Sequence, residues 1–274
     1  MAKYNKKRAR ELQHDRFRDT ANTLLDRLGN SLEGKGKSIL YGLIGIVLVG
    51  VLIGVYLKWS HRKADEAQRA LGRGIAIASA PLSSAAVAAA DPKALKFSSE
   101  QERAAKAIEE FQKVAAKYGD PYRTEARYFI ATNMLTLDRD KALAELAELS
   151  KSSIAEVATL SKFALAQQKD ADRKYDEAAQ LYTELAGQNS TIVTPETANL
   201  YLAGVYDKQG KKKEAAELLF NIVDTGRKAK DKDGAPLPQT GAAGVAAEKL
   251  QKIDPERYAQ LTPALPTGGL PFGL

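Results

Sequence analysis

Apolar and polar positions are distributed along this chain in two distinct ways. From Ser38 to Leu57, twenty consecutive positions carry no charge, the longest such run in the chain. At 1.5 Å per helical residue the run covers about 30 Å, the hydrocarbon thickness of a bilayer, and predicts one transmembrane helix. After it, apolar residues recur at helical spacing, and no period-two run lasts more than a few residues. The rest of the chain therefore reads as helix nearly throughout.

A cleaved signal peptide is the competing explanation of the apolar run. Such a peptide has an apolar stretch of roughly 7–15 residues and a small-residue cleavage site. Here 37 mostly polar residues precede a longer run, and Leu57-Lys58-Trp59-Ser60-His61 offers no such site. Charge then sets the expected orientation. Residues 1–37 hold ten Lys/Arg and five acidic residues, so the net charge of +7 for the whole chain is mostly a property of this tail. A short, strongly cationic tail resists translocation, whereas large domains cross largely regardless of charge. The expectation is a cytoplasmic N-terminus and a large domain on the other side of a bacterial inner membrane, in the periplasm. Tyr41, Tyr56 and Trp59 fit interfacial anchors, and Gly50-x-x-x-Gly54 places two glycines on one helix face, where a partner helix or a second copy can approach closely.

Helix-boundary chemistry divides the remainder. Ser99…Glu102 and Ser153…Glu156 have capping-box spacing. Asp120-Pro121, Thr194-Pro195 and Asp254-Pro255 each set an N-cap oxygen before a proline at the first helical position, and Gly119, Gly187 and Gly210 sit at expected helix ends. Residues 99–225 become helices of roughly 12–17 residues with short turns, a helix-hairpin pattern. A first hairpin is expected from helices at 62–79 and 99–118, interrupted by an Ala/Pro-rich spacer at 76–96.

The hairpins repeat. One copy reads Leu202-Ala203-x2-Tyr206-x3-Gly210-x4-Ala215-x3-Leu219-x2-Ile222, and another Leu165-Ala166-x2-Lys169-x3-Arg173-x4-Ala178-x3-Tyr182-x2-Leu185. Corresponding alanines are 37 residues apart. Small residues let two helices cross closely while large neighbours fill the space on either side. This pattern resembles the tetratricopeptide repeat, whose period is 34 residues. The expected class is all-α: one N-terminal transmembrane helix followed by a tetratricopeptide-like helix-hairpin solenoid. The expected divisions are a basic tail (1–37), the span (38–57), a membrane-proximal helix and spacer (58–98), repeats (99–226), a loop and last helical segment (227–262) and a disordered tail (263–274).

Residues suited to catalysis are scarce. Cysteine is absent, which excludes disulfides, thiolate chemistry and Cys-based zinc sites. The two histidines, His14 and His61, lie outside the expected repeats, so no triad or paired-imidazole metal site is available there. The acid pairs Glu109/Glu110, Asp138/Asp140 and Asp170/Asp172 sit among lysines and read as solvated faces. Asp231-Lys232-Asp233-Gly234 lacks the further carboxylates of a calcium loop. The cluster Lys6-Lys7-Arg8-Ala9-Arg10 reads as a cytoplasmic, anionic-lipid-facing tail, not as a specific nucleic-acid site. No enzyme activity, cofactor or metal is expected.

In layout the chain resembles the bacterial ancillary subunit of the SecYEG translocon. That resemblance implies a periplasmic protein-binding scaffold, accessory to the translocon or to periplasmic chaperone handover. Envelope-assembly or cell-division coordinators share the layout and form the alternative. Carried over from the repeat family, the groove-facing positions are Phe163, Gln167, Asp170, Leu200, Gly204, Asp207 and Lys208, with Gly50 and Gly54 as the membrane-helix contact. The implied partners are translocon subunits, periplasmic chaperones or other envelope proteins.

Overall fold

A computed structural model describes residues 36–82, 96–235 and 237–263, without the side chains of 36–47 and Tyr56. The basic tail, most of the spacer and the segment after Pro263 lie outside the described residues. The chain divides into two compact units, Met1–Asp65 and Glu66–Leu274.

In the first unit the described residues belong to helix α1, Gly36–Ala78, which continues into the second. Leu48, Val49, Val51, Leu52, Ile53, Val55, Leu57 and Trp59 are all exposed, and a Cβ added at Gly50 or Gly54 would meet nothing within 4 Å. Lys63 sets its Nζ 3.7 Å from the centre of the Trp59 ring. Among the described residues, no helix is long and apolar enough to cross a membrane. The expected span at 38–57 falls on α1, but the side chains of its first ten residues and of Tyr56 lie outside the described residues. What is described of it is the exposed apolar stretch from Leu48.

The second unit is a succession of helix hairpins. The last part of α1 pairs with α2 (Glu100–Lys117). There follow α3 (Tyr122–Met134) with α4 (Arg139–Leu149), α5 (Ala155–Ala171) with α6 (Tyr175–Ala186), and α7 (Pro195–Lys208) with α8 (Lys212–Lys228). Helix α9 (Gly241–Ile253) and the short α10 (Pro255–Ala259) end the described stack. From α2 onward consecutive helices pack on each other, and α3 also meets α5 as α7 meets α9. In these two pairs the first helices of neighbouring hairpins lie side by side.

Among the described residues, four apolar clusters hold the hairpins together. Ala67, Ala70 and Leu71 pack with Phe111 and Val114. Next, Leu146, Leu149 and Val157 join α4 to α5, and Tyr182, Leu185, Leu202 and Val205 join α6 to α7. The last cluster collects Leu219, Val223 and Leu250. The alanines at the expected crossings, Ala166, Ala178, Ala203 and Ala215, are all at most 1% exposed. Absence of bulk at these points lets the helices approach, and the large residues beside them bury the apolar surface that stabilises each pair. Gly74 is the tightest approach: a Cβ there would sit 2.5 Å from the Phe111 ring, which stacks on Phe129 at 4.9 Å between centroids.

The caps follow the sequence in part. Ser99 Oγ accepts the Glu102 N–H at 3.1 Å, while the Glu102 carboxylate reaches past it to the Ser98 N–H and hydroxyl. Thr194 and Asp254 cap α7 and α10 as their spacing predicts. Two expectations are corrected. Ser153 does not cap α5: the helix starts at Ala155 with Ile154 at the N-cap, and Ser152 Oγ accepts the Ile154 N–H instead. Asp120 does not cap α3 through the backbone. Pro121 occupies the N-cap after a cis peptide bond, and the Asp120 carboxylate accepts the Thr124 hydroxyl at 2.7 Å.

Candidate protein-binding face

Helices α5 and α7 are the first helices of successive hairpins, and each presents a stripe at helical spacing. On α5 the stripe is Phe163, Gln167 and Asp170; on α7 it is Tyr201, Gly204 and Lys208. Two contacts join them. Phe163 and Tyr201 meet edge to face with centroids 5.0 Å apart. One step of seven residues along each helix, the Lys208 ammonium donates to both Asp170 carboxylate oxygens at 2.8 and 2.6 Å. Between the aromatic end and the charged end lie the exposed Gln167 and the half-buried Gly204, where an added Cβ would meet nothing within 4 Å. Seven helical residues span about 10 Å, so this is a short trough with a notch at its middle.

Tyr182 of α6 forms the floor of the aromatic end. Its ring is fully buried, stacked on Tyr201 at 5.6 Å and edge-on to Phe163 at 5.9 Å. The hydroxyl has no hydrogen-bond partner. A buried, unsatisfied hydroxyl costs about 1–3 kcal/mol. Burial, with the negative charge of Asp170 as a second cause, holds this phenol far above its ordinary pKa, so it remains a neutral donor.

Of the seven positions expected to face a groove, Phe163, Gln167, Asp170, Gly204 and Lys208 share this trough. Leu200 turns away and packs, half-buried, against the cluster around Ala203 and Leu219. Asp207 is exposed beside the stripe. Tyr201, one residue after Leu200, takes the place facing Phe163, and it was not among the expected positions. The 37-residue period equates Phe163 with Leu200, but the contacts join residues 38 apart, as Asp170 and Lys208 also show. Equivalent positions in two crossed helices do not touch each other; the residue one step further on does.

Elsewhere α3 and α4 enclose a mainly apolar hollow of about 420 Å³ lined by Ile130, Met134 and Ala142. Acid pairs outside the trough are engaged by cations. Glu109 lies between Lys106 and Lys113, whose hydrogen bonds hold its carboxyl below the usual range, and Lys141 does the same for Asp138. Asp172 accepts from Arg139 at 2.7 Å. In the 227–240 loop the Asp231 carboxylate accepts the N–H groups of Asp233 and Ala235, closing a turn. Among the described residues, no group of three or more His, Cys, Asp and Glu is placed to hold a metal ion.

No protein-family model matches the chain. No curated protein matches it either. Among solved structures it is similar to a Podosopora anserina putative kinesin light chain with nearly identical TPR-like repeats. The similarity has 19% identity and a TM-score of 0.42, and covers 55% of this chain and 77% of that one. The helix-hairpin architecture itself, with its repeated alanine crossings, is tetratricopeptide-like.

Proposed function

We propose that the chain is a membrane-anchored protein-binding scaffold, accessory to the protein translocon or to chaperone handover in the periplasm. The observation that supports binding is the trough on α5 and α7, where an exposed aromatic, a glycine notch and an ion pair lie on these two first helices. Stacked first helices of this kind form an extended surface suited to a peptide or a partner helix. Binding is favoured over catalysis because Glu109, Asp138, Asp170 and Asp172, the members of the acid pairs nearest to an acid–base arrangement, are each tied to lysine or arginine.

The anchor reading draws on the uncharged run 38–57 and on the exposed apolar side chains from Leu48 to Leu57. Trp59 and Lys63 just beyond it fit an interfacial band. With five net positive charges before the run, the N-terminus stays in the cytoplasm and the repeats face the periplasm of a bacterial inner membrane. Gly50 and Gly54 give a neighbouring membrane helix room to pack.

Cross-linking in intact membranes followed by purification tests the function. Translocon subunits or periplasmic chaperones are the expected captures; division or envelope-assembly proteins, or no stable partner, would overturn it. Protease added outside spheroplasts tests the topology: it should degrade the repeats and spare residues 1–37.

A further inference from the structure

On α5 and α7 every cation is matched and two carboxylates are not. The two helices carry no arginine, and each of their lysines is tied: Lys162 to Glu184, Lys169 to Glu177 and Lys208 to Asp170. Glu156 of α5 and Asp207 of α7 are exposed, and neither has an ion-pair partner among the described residues. They stand at opposite ends of the same face. Glu156 lies seven residues before Phe163 on the stripe that continues through Gln167 and Asp170, about 10 Å along the helix. Asp207 lies about 9 Å beyond Tyr201 on α7. The order along the face is carboxylate, aromatic pair, carboxylate.

The Glu156 end is recessed. Glu156 and Thr159 line a hollow of about 300 Å³ with residues 188–192 of the α6–α7 loop, and no lysine or arginine lines it. Its other polar groups are neutral and matched to one another: the Thr159 hydroxyl donates to Gln188 at 3.4 Å, and Ser190 Oγ accepts the Ile192 N–H at 3.2 Å. Ile192, 42% exposed, gives the hollow an apolar wall. A lysine or arginine side chain brings an aliphatic stem for such a wall and a charged head for Glu156. Glu125 of α3 lies close by. Burial first, and the like charge of Glu156 second, hold its carboxyl above the usual range. A cation arriving beside Glu156 relieves that repulsion and breaks no existing salt bridge.

We propose that the α5–α7 face binds a segment of another protein that carries a lysine or arginine about 10 Å from an aromatic or large aliphatic side chain, with the cation at Glu156 and the apolar group on Phe163 and Tyr201. In an extended segment, at about 3.3 Å per residue, that distance is a spacing of three residues. A second cation about three residues beyond the apolar group reaches Asp207. The inference rests on reading this face as protein-binding, and it gives the partner a sign of charge: a cationic segment, not an acidic one.

The test presents the full chain, in detergent and immobilised through its N-terminus, to a displayed library of short random peptides at low ionic strength. Selected peptides should carry Lys or Arg three residues from an aromatic residue or leucine. Selection of acidic or uncharged peptides, or of none, would overturn the proposal. With a selected peptide in solution, Glu156→Gln should weaken binding about threefold, and Glu156→Gln with Asp207→Asn about tenfold. Both side chains are exposed, so circular dichroism should show the fold unchanged. Added salt should weaken binding to the wild-type chain more than to the double variant, and Glu156→Lys should turn the selection at the cationic position to Asp or Glu. Equal affinity of wild type and double variant would also sink the idea. Partner capture by cross-linking in membranes separates the two readings. If Tyr201→Ala abolishes capture while the double variant captures as wild type does, the charge inference fails and the scaffold reading stands. If cationic peptides bind as described but no partner is captured, the scaffold reading fails alone.

Discussion

Arg173 and Gly210 adopt the same left-handed backbone conformation 37 residues apart, with φ of 60° and 77°. The hydrogen bonds around them match as well. The Arg173 N–H bonds to the Asp170 carbonyl and the Lys174 N–H to that of Lys169, as Gly210 does to Asp207 and Lys211 to Tyr206. The hairpin turn is fixed by the packing of its two helices, so the geometry persists in the copy where glycine has been replaced by a residue with a Cβ.

That geometry makes Arg173→Gly stabilising. A left-handed residue with a side chain costs about 1–2 kcal/mol, partly offset by the larger unfolded-state freedom of glycine. The expected net gain is about 0.5–1 kcal/mol, read as a higher denaturant midpoint with an unchanged slope. Gly210→Ala should shift the midpoint the other way by a similar amount.

Two glycines on α1 should respond oppositely to alanine. Gly72 is exposed, with nothing within 4 Å of an added Cβ, so Gly72→Ala should stabilise by about 0.5–1 kcal/mol through helix propensity. At Gly74 the added Cβ meets the fully buried Phe111 ring, which Phe129 keeps from moving aside. Gly74→Ala should cost about 1–3 kcal/mol. Thermal melts followed by circular dichroism should place the two variants on opposite sides of the wild-type chain.

Overpacking a helix crossing tests the repeat register. Ala203→Trp and Ala215→Trp each force a large ring between buried helices, at a cost of about 1–3 kcal/mol or more. Melting at the wild-type temperature in both variants would show that these alanines do not sit at crossings.

Glu125 on α3 titrates above its ordinary range, first because burial disfavours its charge and second because Glu156 lies near. With its folded pKa raised above the unfolded value, its contribution is fully present below pH 4.5 and lost as pH rises through the folded pKa. Glu125→Gln should therefore stabilise the chain at pH 7 by about half a kcal/mol, the small size reflecting solvent screening. The gain should vanish near pH 4, where wild type and variant should share one urea midpoint.

Most of the architecture is legible in local chemistry. Helix periodicity, the caps at Ser99, Thr194 and Asp254 and the alanine pairs at 166/178 and 203/215 are each set within one or two helical turns, so the sequence alone determines hairpins and their crossings. The uncharged run 38–57 and the cationic tail are likewise properties of the chain itself. The candidate binding face is different. Which residue of α7 faces Phe163 depends on the tilt at which two helices cross, and that tilt comes from side-chain packing around Tyr182 and Leu202. A repeat period equates Phe163 with Leu200, but only the tertiary structure sends Leu200 into the neighbouring core and brings Tyr201 against Phe163. The tertiary structure also shows that neither Asp120 nor Ser153 caps its helix, because a side chain caps only where the incoming backbone places it within reach of the first free N–H groups.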